Sequence, residues 1–180
     1  MTEIPFPNKK YNIIYADPAW NYETWSEGAS RNVKGKYKTM SMQQIWELPI
    51  QEITDDNCIL FLWVTYPKLI DCIKTIEKWG FTYKTCGFSW IKKNKKADSF
   101  FWGMGYWTRA NNEICLLATK GKPKRISSSV HQIIYEPVRK HSQKPDTVRD
   151  RIVELCGDIP RIELFARNKI DGWDYWGNEV

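Results

Sequence analysis

Histidine is scarce: only His131 and His141 are present, and neither stands at a metal-ligand spacing from the other or from a cysteine. That argues against a structural zinc. The five cysteines, at positions 58, 72, 86, 115 and 156, include no C-x-x-C pair. Four of them lie in apolar runs where cysteine behaves as a small hydrophobe, so all are expected to be reduced and buried. The longest uninterrupted apolar stretch, Cys58–Val64, is far short of the roughly 18 residues of a membrane span. Residues Met1–Pro7 lack the apolar core of a secretory signal. These absences point to a cytoplasmic protein with no membrane partner. No G-x-G-x-x-G follows a strand-like run, and the close pair Gly103 and Gly105 has no helix signal after it, so the common dinucleotide fingerprint is missing. Repeats, low-complexity tracts and an interdomain linker are also absent.

What is present is basic and aromatic. The 180 residues carry a net charge of +6, with 10 Trp and 9 Tyr. A chain of this length is expected to form a single domain, residues 1–180. The positive balance favours a polyanionic partner, and two or three of the aromatics are candidates for base stacking while the rest pack. Strand-like runs alternate with helical ones: Tyr11–Ala16, Cys58–Val64, Tyr83–Ile91, Glu113–Thr119, Gln132–Tyr135 and Arg161–Ala166 read as strands. Several are continuously apolar, which favours strands covered on both faces, as in a parallel α/β sheet. Helices are expected from Ser41, with Gln44 completing a capping box, to about Glu47; from about Pro67 to Trp79, stopped by Gly80; and after Pro145, closed by Gly157. Asn21–Lys38 and Asn94–Asn112 are long polar segments that suit substrate or recognition loops.

The first strand-like run ends directly in Asp17-Pro18-Ala19-Trp20. The C-terminal end of such a strand is where open α/β sheets bind ligands. To methylate an exocyclic amine such as adenine N6, the nitrogen lone pair must be drawn out of the ring by acceptors held at the amine. An ionised Asp17 is acceptor-only, and the Pro18 carbonyl adds a second acceptor. Trp20 offers an aromatic face. Taken alone, the tetrapeptide fits equally well a strand that closes on an Asp-Pro turn with its Trp in the core.

Further motifs follow in order: Tyr37-Lys38-Thr39-Met40, Leu60–Thr65, Ser89-Trp90-Ile91-Lys92, Gly105-Tyr106-Trp107 with Glu113, Lys120-Gly121-Lys122-Pro123, Lys144-Pro145, Ile162–Arg167 and Trp176-Gly177-Asn178-Glu179. In number, order and spacing they resemble the DPPW-type N6-adenine methyltransferases, the family of the catalytic subunit that methylates messenger-RNA adenosine, with bacterial and phage relatives. The resemblance implies a Rossmann-like, S-adenosylmethionine-dependent methyltransferase fold of permuted order, with the catalytic motif ahead of the cofactor-binding strand. It implies S-adenosyl-L-methionine as cofactor. It places Asp17, Pro18 and Trp20 in catalysis, and Ala19, Tyr37, Glu113 and Trp107 at the substrate. It assigns Asp17, Lys144, Phe165, Arg167, Asn178 and Glu179 to the cofactor, a set in which cations suit a carboxylate and Asn and Glu suit ribose hydroxyls. The chain departs from the pattern at Ala19, where a second Pro is usual, and at Glu179, where an amide is common. Only 16 residues precede Asp17, so the family's upstream acidic contact to the cofactor adenine does not carry over.

The implied substrate is adenine in nucleic acid, with DNA favoured over RNA because the accessory RNA-binding modules of the eukaryotic members are missing. Two other readings stay open: RNA as substrate, and a silent family member that binds nucleic acid or supports an active partner. The runs Lys92–Lys96 and Lys120–Arg125 are solvated faces by default, but the aromatic loop Phe100–Trp107 beside them favours nucleic-acid contact. Surplus aromatics would also suit pairing, with a second copy or with a partner methyltransferase subunit.

Overall fold

The computed structural model describes residues 4–20, 40–105, 107–139 and 143–180. Strand β1 (Tyr11–Ala16) is followed by helices α1 (Met42–Trp46) and α2 (Ile50–Ile53), then β2 (Thr54–Val64). A single 3-10 turn, Tyr66–Lys68, leads into α3 (Leu69–Lys78), and β3 (Thr82–Lys93), β4 (Glu113–Lys120) and β5 (Ile133–Pro137) follow. Helix α4 (Thr147–Cys156), β6 (Arg161–Leu164) and β7 (Asp174–Trp176) complete the chain. The strands form one seven-stranded sheet in the order β5-β3-β4-β2-β1-β6-β7.

The capping box at α1 is formed as its sequence predicts: the Gln44 amide donates to Ser41 Oγ and the Ser41 amide to Gln44 Oε1. Helix α3 stops where expected, at Gly80, whose φ of +81° disfavours any residue with a Cβ. The continuous apolar runs are explained by cover on both faces. Along β2, Cys58, Leu60, Leu62 and Val64 join one buried cluster with residues of α1, α2 and α3. The alternate residues Ile59, Phe61 and Trp63 join a second cluster with Val148, Ile152 and Cys156 of α4. Alternation is therefore hidden, because both faces of the strand are dry.

The expected parallel sheet is corrected at one strand. β4 runs antiparallel to both β2 and β3, whereas the other pairings are parallel. The reason lies in connectivity: β3 returns into its neighbour β4 through residues 94–112 as a long hairpin, with no crossover helix, so the two must be antiparallel. Reversal of β4 brings its first residue, Glu113, to the edge where β1, β2, β3 and β6 end. One edge of the sheet thus collects side chains from five strands.

Candidate active site

Asp17 leaves the C-terminal end of β1, between β2 and β6 in the sheet. The connections diverge here, since β1 leads to β2 on one side and α4 leads to β6 on the other. This is the crevice in which open α/β sheets hold ligands. The turn that follows is tight: the Trp20 amide donates to the Pro18 carbonyl at 2.8 Å. Among the described residues Phe165 is the sole non-glycine with positive φ, so Ala19 at the centre of this three-residue turn has negative φ, the inverse γ form. One lone pair of the Pro18 carbonyl is thereby used and the second is left.

Trp20 corrects an expectation. Its side chain is only 6 % exposed within the core cluster, and its indole donates to the Trp63 carbonyl at 2.9 Å. A ring so enclosed is an anchor for the turn and not an open face for a base. Trp63 in turn donates to the Tyr15 hydroxyl at 2.7 Å. The acidic turn is thus pinned to the ends of β1 and β2.

Lys144 reaches this turn from the segment before α4. The helix is fixed by its apolar face and by Arg149, which donates from Nε and a terminal nitrogen to Glu163 of β6 at 2.7 and 2.8 Å. That bidentate pair sets where the preceding residues lie. The Lys144 ammonium contacts Asp17 Oδ2 at 2.8 Å and Glu113 Oε2 at 3.2 Å, above the Trp63 ring. Glu113 Oε1 takes a second cation, Lys92, at 2.6 Å. Lys92 was legible only as the end of the Ser89–Lys92 motif and the start of a basic run, with no site role assigned to it. Its membership here depends on the β3–β4 register, which pairs Trp90 with Glu113 and cannot be read from composition.

The electrostatics separate the two carboxylates. Burial pushes the Asp17 carboxyl above its ordinary value; Lys144 pulls it back in part, while Glu113 adds to the rise. Glu113 is also raised by burial, but Lys144 and Lys92 together outweigh this and hold it below the usual range. Burial disfavours the Lys144 ammonium, yet its two carboxylate neighbours keep its pKa raised. The two carboxyls are thus shifted in opposite directions, Asp17 upward and Glu113 downward.

The β6 and β7 ends form the other half of the crevice. Phe165, with φ of +60°, lies edge-on to Trp176 at 5.6 Å, and the Ala166 amide donates to the Trp176 carbonyl at 3.0 Å. Arg167 Nε stands 3.7 Å from Glu179 Oε1, and Asn178 is exposed beside it. Gly177 makes this approach possible, because a Cβ there would lie 2.4 Å from the Ala166 carbonyl oxygen.

The structure therefore brings Asp17, Pro18, Ala19, Glu113 and Lys144 to one edge, with Phe165, Arg167, Asn178 and Glu179 just beyond the ends of β6 and β7 next to it. Trp107 is 92 % exposed on the β3–β4 loop, outside the part-buried carboxylate–lysine cluster. Tyr37 and the segment Asn21–Lys38 lie outside the described residues, apart from which Met40 packs on the core.

The MT-A70 family model matches residues 11–179, nearly the whole chain and every motif named above. The chain belongs to the MT-A70 family. Its similarity to type II methyltransferase M.MunI of Mycoplasma sp is 36 % identity over 192 residues, covering 97 % of this chain and 79 % of that protein. An MT-A70-like N(6)-adenosine-methyltransferase of Drosophila melanogaster is 29 % identical, and the human catalytic subunit METTL3 28 % identical. This chain spans only 27 % and 28 % of those two longer proteins. As a member of MT-A70 the chain is a methyltransferase, and the mixed seven-stranded sheet is its methyltransferase fold.

Proposed function

We propose that this MT-A70 protein transfers a methyl group from S-adenosylmethionine to the N6 amino group of adenine in DNA. The observation that carries the reading is the acceptor pair at the end of β1. Asp17 offers Lys144 one oxygen, Oδ2, and among the described residues Oδ1 is left for a second donor. The Pro18 carbonyl keeps one lone pair after accepting from Trp20. An amino group presents two hydrogens, and two fixed acceptors can hold both. Accepting from them localises the nitrogen lone pair away from the ring and towards the methyl donor. Because the acceptors are already placed by the strand end and the buried Trp20, they need little reorganisation during reaction.

The donor set at β6 and β7 fits the methyl donor. Arg167 and Lys144 suit a carboxylate and an amino acid chain, Glu179 and Asn178 suit ribose hydroxyls, and the Gly177 close approach shapes the floor. When bound, the cofactor supplies an electrophilic methyl group on a sulfonium. Asp17 also answers that positive charge from the neighbouring strand. Similarity to M.MunI over 79 % of its length favours DNA over RNA. A cytoplasmic location accords with that relative.

The test is transfer of labelled methyl to DNA and RNA oligonucleotides. Label should appear on DNA adenine and fall by at least about 100-fold in Asp17→Asn, which keeps the shape but not the charge. Label on RNA alone would refute the substrate, and undiminished transfer by Asp17→Asn would refute the mechanism.

A further inference from the structure

The β3–β4 loop and the adjoining edge strand β5 together carry a group of aromatic rings that the catalytic centre does not use. Phe100, Trp102 and Tyr135 are 48 %, 63 % and 43 % exposed, and the Phe100 ring lies 5.8 Å from Trp102 and 5.7 Å from Tyr135. These are not rings on a slack loop. The Asn94 amide donates to the Ser99 carbonyl, Phe100 forms a bridge with Lys93, and the Phe101 amide donates to the Lys92 carbonyl at 2.9 Å. Asn111 clamps the base of the hairpin, accepting from the Lys92 amide and donating to the carbonyls of Lys92 and Phe101. The loop part of the shelf is thus an extension of β3, held in place beside Tyr135 of β5.

Its charge is as specific as its shape. The Lys93 ammonium lies 4.6 Å from the Tyr135 centroid and pairs with the exposed Asp98, and Lys95 and Lys96 follow it in the chain, exposed, before Phe100. A protein-docking core is depleted of lysine, whereas rings interleaved with cations are what a nucleic-acid strand requires: faces for bases, ammonium groups for phosphates. The shelf also connects with the acidic turn. Lys92 anchors Phe101 through its backbone and contacts Glu113 through its side chain, and Glu113 shares Lys144 with Asp17.

We propose that Phe100, Trp102 and Tyr135 form a stacking shelf for an unpaired base of the substrate strand near the adenine held at Asp17, with Lys93 and its neighbours on the adjoining phosphates. The proposal rests on the function above for its substrate, but its binding test does not require transfer. A base that flanks an extruded adenine loses a stacking partner, and an exposed aromatic face replaces it.

The experiment uses oligonucleotides with 2-aminopurine beside the target adenine, titrated with wild-type protein, Trp102→Ala, Trp102→Phe and Tyr135→Ala. Wild type should quench the fluorophore. Trp102→Ala should bind roughly 5- to 100-fold more weakly with the quench reduced, and Trp102→Phe should recover most of both. Sedimentation of the same variants follows oligomeric state, and cofactor calorimetry verifies the fold. Unchanged oligonucleotide affinity in both alanine variants would overturn the proposal, as would loss of a dimer with DNA binding intact. Quenching and its loss in Trp102→Ala, in a protein that transfers no methyl to DNA, would sustain the shelf while refuting the proposed reaction.

Discussion

Replacing Lys144 by Met removes the buried cation shared by two part-buried carboxylates and gives the sharpest test of the site. At about 3 Å and an effective dielectric of about 20, one such charge pair is worth roughly 5 kcal/mol by Coulomb's law. The net penalty of unpairing a buried ion is about 3–5 kcal/mol. Glu113 retains Lys92 at 2.6 Å, so Asp17 bears most of the change. Its pKa, already raised by burial, rises further once the lysine that opposed the rise is gone. The folded variant then holds a proton that the unfolded chain releases in the ordinary carboxylate range. Its stability accordingly falls as pH rises through that interval, by up to about 1.4 kcal/mol per pH unit, and the deficit against wild type is largest in neutral to alkaline solution. Urea denaturation followed by circular dichroism should show a deficit of about 3 kcal/mol near pH 8 and a smaller one near pH 5. The acid limb of the methyl-transfer rate should move to higher pH, because the proposed mechanism uses the ionised carboxylate. Lys144→Arg, which keeps the charge, should leave the limb closer to its original place. Equal stability of Lys144→Met and wild type at both pH values, with the acid limb unmoved, would refute the reasoning.

Two further outcomes follow from the turns. Ala19→Pro restores the family's usual residue at a position whose negative φ in the inverse γ-turn proline can adopt; it should stabilise by about 0.4–1 kcal/mol, seen as a Tm rise, with transfer retained, and a fall in Tm would refute the assigned turn. Gly177→Ala drives a methyl group to within 2.4 Å of the Ala166 carbonyl oxygen, so it should cost about 1–3 kcal/mol and weaken cofactor binding in calorimetry by about 10-fold or more, and unchanged cofactor affinity would detach the β6–β7 approach from the cofactor site.

Much of this was legible where local chemistry decides. β1 spans the six residues read from sequence, and the Ser41–Gln44 capping box is in place. Both are set by neighbours along the chain. Helix α2 and strand β7 were not foreseen, since a four-residue helix and a three-residue edge strand leave no periodicity to detect. The Trp176-Gly177-Asn178-Glu179 motif marked the place of β7 without revealing that it pairs. Reversal of β4 was hidden because a strand buried on both faces has the same apolar run in either direction. Trp20 was read as a face for the base, yet it lies in the core. Its neighbours there, Trp63 above all, arrive from a strand more than forty residues away. The site role of Lys92 was missed for the same reason: the Ser89–Lys92 motif marked the residue, but only the β3–β4 register brings it to Glu113.

The reversed strand explains why the acidic turn can be both buried and useful. Were β4 parallel to β2, Glu113 would lie at the far edge of the sheet and Lys144 would face Asp17 alone. A lysine held by a single carboxylate neutralises it and competes with a substrate amine for the same oxygens. Here the Lys144 ammonium is divided between Asp17 at 2.8 Å and Glu113 at 3.2 Å, and Glu113 is itself secured by Lys92. Such sharing keeps Lys144 charged and close while leaving Asp17 less than fully neutralised. Asp17 then keeps the acceptor strength that an amino group needs, at the expense of a raised pKa. If Glu113 does tune Asp17 through the shared lysine, Glu113→Gln should lower the Asp17 pKa by removing a neighbouring negative charge and by concentrating Lys144 on Asp17. The acid limb of transfer would then move to lower pH while the maximal rate falls, a split that simple loss of a structural contact would not produce.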